Sequence, residues 1–250
     1  MQLSDLFEQL TQGELSQLKM GGKDSVGIHP CDYAKIIPHI NLGLTELYKR
    51  FNLKDGEVVV QQFDEIQTYE LNSIYAQSRL PGTTNPSNLP EGSKYYIMDS
   101  SYQPFTDNVL RIEAIHNEIG EELYKNQDRS YYVGSDKYWS VNTPTYNSIQ
   151  VPYPEKENQM IVTYRADHDP IIYTEGMNLH TIQVPISTTY LESLLLYIAA
   201  RVYTNLSSNE GNEGNNYTAK FEASIQKIID LNLINNDDTQ NVKLEQNGWV

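Results

Sequence analysis

The sequence predicts an α+β protein in which helical segments at both ends of the chain flank a long β-rich middle. Apolar residues recur at spacings of three and four near the N-terminus and again from residue 189. Between these segments, short runs rich in β-branched residues alternate with Pro, Gly, Asn and Ser. With 250 residues, of which 39% are hydrophobic, the chain fits one large domain or one domain carrying a sizeable insertion.

The N-terminal segment predicts two helices. The first spans residues 3 to 19, is interrupted near Gly13, and carries an apolar stripe formed by Leu3, Leu6, Phe7, Leu10, Leu15 and Leu18. The second spans Asp32 to Phe51, with Pro38 in its first turns or at a kink. One face of this helix collects Ile36, Ile37, Ile40, Leu44, Leu47 and Phe51.

A turn at Lys54–Asp55–Gly56 is expected to introduce the β-rich middle. Strands are predicted at residues 58–63, 68–74, 109–116, 121–124, 138–141, 160–165 and 179–184. Residues 117–120 predict a hairpin connection between two of these strands. Because His180 alternates with apolar residues, we expect its side chain on the outward side of the last strand.

Two further helices and a tail complete the chain. Thr189 and Glu192 match a capping box, and an apolar stripe continues to Leu206. Residues 207–216 predict a loop, after which a helix at 217–233 would form an antiparallel hairpin with the preceding helix. The tail, residues 235–250, ends in Trp249–Val250, and this Trp either packs on its own domain or anchors another protein.

The composition restricts the functional classes. The chain has 33 Asp and Glu against 18 Lys and Arg and no basic cluster, which argues against a surface that binds nucleic acid. The single Cys31 excludes internal disulfides and a multi-Cys metal site. The start of the chain does not resemble a signal peptide, and the longest apolar run is too short to cross a bilayer. We therefore expect synthesis in a reducing cytoplasm and no membrane contact. Nineteen Tyr residues fit either protein interfaces or a β-rich protein.

No catalytic constellation emerges from the sequence. Only Asp167–His168–Asp169 places candidate metal ligands together, and a polar turn is the simpler interpretation. His39 is expected to be a satisfied, half-buried side chain, and Cys31 a small residue at a helix start. Four acids around the predicted hairpin indicate a solvated edge: Glu113, Glu118, Glu121 and Glu122. We expect no enzymatic activity, no cofactor and no bound metal.

Four stretches carry a resemblance to a known family. They are residues 3–7 with 13–16, residues 37–51, residues 191–203, and the C-terminal Gly248–Trp249–Val250. In this order they resemble the head-to-tail adaptor (connector or neck) proteins of tailed bacteriophages, above all those of short-tailed phages. The resemblance implies that residues 1–55 and 186–234 form a helical bundle, that 56–185 form an inserted β-rich domain, and that 235–250 form an extended C-terminal arm.

The resemblance also implies partners and sites. Subunits are expected to form a homo-oligomeric, twelve-membered ring in the virion neck, between the portal protein and the tail nozzle or tail tube protein. Genomic DNA would pass through the ring without sequence-specific binding. The arm would bind the portal through Val242, Leu244, Trp249 and Val250. Contacts with the tail or with neighbouring subunits would come from Tyr131, Tyr132, Tyr138, Trp139, Tyr146 and Tyr153.

Two other hypotheses belong to different functional classes. In the first, the chain is a tail or baseplate module whose Tyr-rich β region recognises a host glycan by stacking aromatic rings on sugars. In the second, two of the many carboxylates act as the acid and base of a hydrolase. The helical segments favour the adaptor, because a free-standing glycan module does not need them.

Overall fold

A computed structural model describes residues 1–16, 28, 32–83, 86–126, 140–204 and 211–231. The chain divides into two compact units. The helical unit combines Met1–Leu47 with Asp169–Val250, and the β unit is the continuous segment Tyr48–His168. Four α-helices and two four-stranded sheets lie within the described residues, so the predicted α+β class is confirmed. The unit boundaries differ from the predicted β-rich segment at residues 56–185.

The helices follow the predicted apolar periodicity. They are α1 (Leu3–Gln12), α2 (Tyr33–Arg50), α3 (Leu191–Thr204) and α4 (Gly211–Asp230). Helix α1 buries Leu3, Leu6, Phe7 and Leu10 and ends where Gly13 follows. Pro38 lies inside α2, as its predicted position allows. The two N-terminal helices are therefore confirmed over their described residues.

Close helix contacts in the helical unit depend on small residues. Gly43 of α2 lies against α3, where an added Cβ would be only 2.7 Å from Leu194 Cδ1 and 3.0 Å from Tyr197 Cδ1. Between α3 and α4, the buried hydroxyls of Ser193 and Ser224 are 2.8 Å apart and share a hydrogen bond. These contacts let the helix axes approach closely without leaving a buried polar atom unpaired.

Two tyrosines tie the end of α1 to the C-terminal helices. The rings of Tyr203 and Tyr217 stack with their centroids 5.1 Å apart. Both hydroxyls donate to the carbonyl of Glu14, at 3.1 and 3.3 Å. A carbonyl that follows the last turn of α1 is satisfied in this way, and large aromatic surfaces pack beside it.

The strands form two sheets that share one apolar core. The strands are β1 (Asp55–Gln61), β2 (Thr68–Glu70), β3 (Ile97–Met98), β4 (Val109–Asn117), β5 (Tyr124–Lys125), β6 (Ser140–Thr145), β7 (Ser148–Gln150) and β8 (Gln159–Ala166). One sheet has the antiparallel order β3-β1-β8-β4. The other has the order β2-β7-β6-β5, in which only β5 and β6 are parallel. Buried residues of both sheets, including Val60, Val162, Val141 and Ile149, belong to one cluster.

The two ends of the β unit lie side by side. Asp55 at the start of β1 is paired with Arg165 near the end of β8. The amide of Ala166 donates to the carbonyl of Lys54 at 2.8 Å, which extends this pairing beyond β1. The chain therefore enters and leaves the β unit at the same end of one sheet.

Gly56 accommodates a buried tyrosine. The ring of Tyr164, its cross-strand partner on β8, lies directly over the glycine, in the space that a Cβ would occupy. The Tyr164 hydroxyl donates to Asn108 Oδ1 at 3.2 Å, and the side chain is only 5% exposed. The predicted turn at Lys54–Asp55–Gly56 is wrong: both Asp55 and Gly56 belong to β1, where the glycine makes room for the ring.

Several predicted strands are corrected. Residues 179–181 form a 3₁₀-helix because the Asn178 side chain accepts from the amide of His180, and only an isolated bridge joins Gln183 to Gln2. His180 is exposed, but on this 3₁₀-helix and not on a strand. The strand predicted at 68–74 ends at Glu70 and is followed by a 3₁₀-helix at residues 73–75. The strand predicted at 121–124 is reduced to β5, and the short strands β3 and β7 were not predicted.

Two predictions near the C-terminal helices are also wrong. Ser187, and not Thr189, caps the turn before α3: its side chain accepts from the amide of Thr189, and a 3₁₀-helix at 188–190 leads into α3. Residues 211–216 are helical and not a loop. Gly214 lies so close to Thr204 that any side chain would clash, and this contact allows α4 to begin beside the end of α3. Residues 205–210 lie outside the described residues.

The first prediction concerns Gly56. The substitution Gly56→Ala should reduce the free energy of unfolding by about 1–3 kcal/mol, because the new methyl group competes with the buried Tyr164 ring. Urea unfolding followed by circular dichroism measures this change. Glu57→Ala, on the exposed neighbouring residue of β1, is the matched control and should change stability by less than about 0.5 kcal/mol. Equal effects of the two substitutions would contradict the proposed packing.

The second prediction concerns alkaline pH. Burial raises the pKa of the Tyr96 hydroxyl, which donates to the Glu70 carbonyl and accepts from the Glu70 amide, both at 2.9 Å. Burial also raises the pKa of Tyr69 and Tyr164. A pKa higher in the folded than in the unfolded state stabilises the fold below the unfolded value of about 10, and this contribution is lost as the pH rises further.

We therefore expect the free energy of unfolding to fall between about pH 9 and 11, with tyrosine ionisation occurring together with unfolding. Tyr96→Phe should lower the free energy of unfolding at neutral pH by about 0.5–1.5 kcal/mol, because the hydrogen bonds of the hydroxyl are lost. The same substitution should make the free energy of unfolding decrease less steeply at alkaline pH. Urea titrations combined with tyrosinate absorbance measure both effects. Tyr102→Phe, at a 99% exposed side chain, is the control and should change neither.

Candidate interaction surfaces

The structure describes only two of the predicted site residues. Val242, Leu244, Trp249 and Val250 of the predicted arm lie outside the described residues, as do Tyr131, Tyr132, Tyr138 and Trp139. Tyr146 and Tyr153 are 63% and 55% exposed. Tyr146 lies in the turn before β7 and Tyr153 follows the other end of that strand. Since they lie at opposite ends of β7, these two rings do not form a common aromatic platform.

The most exposed aromatic side chain of the described residues was not singled out from the sequence. Tyr102 is 99% exposed in a tight turn, in which the Gln103 amide donates to the Ser100 carbonyl at 3.1 Å. The Asp99 carboxylate fixes the base of this turn. It accepts from the Ser78 amide at 2.7 Å, the Ser78 hydroxyl at 2.6 Å and the Phe105 amide at 2.9 Å. An aromatic residue presented on an ordered turn is typical of a protein contact.

A second carboxylate, that of Asp107, orders the start of the same segment, five residues before Ser78. Asp107 accepts from both the amide and the hydroxyl of Ser73, and its own backbone has a φ of 57°. The Asp107 carboxylate therefore satisfies the start of the 3₁₀-helix at 73–75. Neither aspartate was singled out from the sequence, because the serine partners of Asp107 and Asp99 are 34 and 21 positions away.

The strongest candidate site is at the end of the β unit where the central strands stop. We call this the acidic end. Gln61 of β1 is paired with Gln159 of β8, and Asn117 at the end of β4 is paired with Met160. The exposed carboxylates described here are Asp64, Glu65, Glu118, Glu121, Glu122, Glu155 and Glu157. The lysines near them are Lys94, which pairs with Glu65 at 2.8 Å, and Lys156.

The predicted hairpin at residues 117–120 is confirmed and forms one wall of the acidic end. Asn117 Oδ1 accepts from the amides of Ile119 and Glu121, at 3.2 and 2.8 Å, while its Nδ2 donates to a Glu121 carboxylate oxygen at 3.1 Å. Gly120 adopts a φ of 83°, which suits glycine in a tight turn. At the tip of this ordered turn, Ile119 is 74% exposed.

A cleft of about 380 Å³ opens at the acidic end. Buried Leu123, Val141 and Val151 are among its lining residues and give it apolar surface. Its polar lining comes from Gln62, Asn117, Glu118, Glu121, Asn158 and Gln159, and Ile119 completes the lining. Lys, Arg and His are absent from the described residues that line it. A cleft with carboxylates and without cations does not favour an anionic ligand.

Gln62 has an unused donor in this cleft. The side chain is only 5% exposed, and its Oε1 accepts from the Glu155 amide at 3.2 Å. Its Nε2 donates to no acceptor among the described residues. Because Gln62 lines the cleft, its small exposed surface faces the space inside. The Nε2 atom is not among the described atoms that are buried without a partner, so it is open to the cleft, where an oxygen of a ligand can accept from it.

The acids of the hairpin are not all solvated, in contrast to the prediction. Glu113 is half-buried, and its Oε1 is 2.9 Å from Arg165 Nη2 on β8. Arg165 Nη1 also donates to the carbonyl of Lys49 at 2.9 Å. Glu113 is therefore part of a cross-strand ion pair, whereas Glu118, Glu121 and Glu122 are exposed as expected.

The histidines show no metal chemistry in the described part of the chain. His168 is 6% exposed, and its Nδ1 is 2.8 Å from Asp167 Oδ1. Residues 167–170 do not form the predicted polar turn. No group of three or more His, Cys, Asp or Glu side chains among the described residues could hold a metal ion. His39 is half-buried as predicted, but its Nδ1 has no hydrogen-bond partner, so it is not satisfied. Burial, followed by the positive charge of Arg201, lowers the pKa of His39.

Comparisons with known proteins do not assign this chain to a family. No protein-family model matches the sequence, and no curated protein matches it either. Within the described ranges, none of the helices is long and apolar enough to cross a membrane.

The third prediction concerns the Tyr102 turn. Asp99→Asn should lower the free energy of unfolding by about 1–3 kcal/mol, because an NH₂ group would replace an oxygen that accepts from Ser78 and Phe105. Hydrogen exchange at the Ser78 and Phe105 amides should become faster. Tyr102→Ala is the control: a fully exposed ring should change stability by less than about 0.5 kcal/mol. Unchanged exchange in Asp99→Asn would contradict the role of this carboxylate.

Proposed function

We propose that the chain is a structural subunit of a phage virion, a ring-forming adaptor between the portal and a short tail. In this proposal the four helices form the bundle, the β unit is an inserted domain, and residues 235–250 form the arm that binds the portal. The β unit faces the tail nozzle or the neighbouring subunits of the ring. This assignment is motivated by the resemblance to neck proteins of residues 3–7 with 13–16, 37–51, 191–203 and 248–250.

The observation that carries the proposal is the adjacency of the two ends of the β unit. Asp55 is paired with Arg165, and the amide of Ala166 donates to the carbonyl of Lys54. A segment whose ends lie side by side can be inserted in another domain without separating the parts that flank it. This is the arrangement that the resemblance implies, with helices at both ends of the sequence and β structure between them.

The surface of the β unit supports a role in protein assembly. Tyr102, Ile119, Tyr146 and Tyr153 are more than half exposed, and the first two are presented on ordered turns. Exposed apolar and aromatic side chains on ordered backbone are typical of surfaces that are covered by a partner. The net charge of −15 also fits a channel through which DNA passes without being held.

Cryo-electron microscopy of the source virion tests this assignment. We expect a ring of this chain directly below the portal, with its C-terminal residues extending into the portal. Density for the chain only at the distal tail would replace the adaptor by the glycan-recognition hypothesis. Absence of the chain from the particle would exclude a structural role in the virion.

The fourth prediction concerns the arm. Deletion of residues 236–250 should leave the thermal unfolding of the chain unchanged and abolish its attachment to portal-bearing heads, because the apolar anchors of the tail would be lost. Co-sedimentation with purified heads measures attachment.

A matched pair of triple variants distinguishes the loss of the apolar anchor side chains from the shortening of the tail. Val242→Ala, Leu244→Ala and Trp249→Ala together should abolish attachment. Asn236→Ala, Asn241→Ala and Asn247→Ala together should leave it unchanged, since they remove polar side chains from the same segment. Normal attachment of the deletion variant would overturn the role of the arm.

A further inference from the structure

The acidic end has the features of a docking site for one kind of partner. Among the described residues, its exposed carboxylates outnumber the lysines near them, and one of these lysines, Lys94, is already paired with Glu65. An uncompensated negative field attracts cations and repels phosphates and acidic peptides. Charge alone does not define a site, but the same end also contains a cleft with an apolar lining and the unused amide donor of Gln62.

These groups complement a basic side chain on an extended peptide. The apolar lining of Leu123, Val141 and Val151 suits the methylene stem of a Lys or Arg side chain. The exposed carboxylates of Glu118 and Glu121 at the cleft suit its charged head. A peptide carbonyl supplies the acceptor that Gln62 Nε2 lacks, and the exposed Ile119 offers an apolar contact for a neighbouring side chain.

We propose that the acidic end of the β unit binds a segment of a partner protein that carries a Lys or Arg flanked by aliphatic residues. The basic side chain lies in the cleft, and the aliphatic residues pack on Ile119. This inference goes beyond the adaptor assignment and does not depend on it, because it rests only on residues of the β unit. The charge of the site excludes nucleic acid and acidic glycans as the occupant.

Binding of short labelled peptides to the full-length chain tests this proposal. The probe is the peptide Gly-Val-Lys-Val-Lys-Val-Gly, and its twins have Gln or Glu in place of Lys. Fluorescence anisotropy should show binding of the Lys peptide, about tenfold weaker binding of the Gln twin, and none of the Glu twin. The affinity should fall between about 50 and 300 mM salt, because exposed charges are screened. Methyl resonances of Ile119 and Leu123 should shift on binding.

A matched pair of charge reversals distinguishes binding at the cleft from general attraction of the Lys peptide to the negative charge of the chain. Glu118→Lys should weaken binding of the Lys peptide about fivefold or more. Asp55→Lys makes the same change of charge at the opposite end of β1, about 20 Å away, and should weaken binding less than twofold. Both residues are exposed. Because Asp55 is paired with Arg165 on β8, Asp55→Lys places like charges opposite each other, so the thermal unfolding of both variants is measured and binding is compared well below it.

The Gln62 amide is tested separately. Gln62→Met keeps the length of the side chain and removes the donor together with the Oε1 that accepts from the Glu155 amide. Binding of the Lys peptide should weaken while the salt dependence is retained, and thermal unfolding reports the effect of the lost Glu155 bond. Equal loss in Glu118→Lys and Asp55→Lys would overturn the proposal, as would equal affinity for the Lys and Gln peptides or no peptide binding. Displacement of the Lys peptide by maltose would overturn it in favour of a carbohydrate site.

Discussion

The pairing of β1 with β8 is the interaction on which the β unit depends. Every residue of β1 is paired with β8, from Asp55 with Arg165 to Gln61 with Gln159. Closing so long a loop costs about 4 kcal/mol of chain entropy, which the shared apolar core of the two sheets must offset. One end of this ladder brings the ends of the unit together, and the other end, with β4, forms the acidic end.

Polar side chains hold the irregular segments between the strands. Asp99 and Asp107 each satisfy backbone amides and a hydroxyl of the segment at residues 73–78. Tyr96 bonds both backbone groups of Glu70, next to the edge of β2. Each of these side chains forms hydrogen bonds with backbone groups that would otherwise lack partners, and an unpaired polar group is costly in a low-dielectric environment. Tyr102 lies in the turn whose base is fixed by Asp99, so this part of the surface of the β unit is ordered although it contains little regular structure.

The sequence predicts the long elements and fails at the short ones, for identifiable reasons. Helices α1, α2 and α3 and strands β1, β4 and β8 are long enough for their apolar periodicity to be read from the sequence. Strand β3 has two residues and β7 has three, too few to show an alternation. The start of α4 and the 3₁₀-helix at 179–181 depend on the contact of Gly214 with Thr204 and on the Asn178 cap. The cleft was not predicted, since Gln62 lies 55 residues before Asn117 and nothing in the local sequence joins them.

The acidic end and the predicted arm require different chemical features in a partner. The arm is an apolar anchor on a polar tail, so its binding should depend little on salt. The acidic end combines exposed carboxylates with a small apolar cleft, so its binding should weaken as salt screens the charges. A ring subunit placed between two neighbours needs two contacts that do not exchange partners, and specificity of this kind arises when each site rejects the ligand of the other. The predicted arm carries Lys243 between Val242 and Leu244, which is the composition proposed for a ligand of the acidic end, so the two contacts stay independent only where the portal covers this segment.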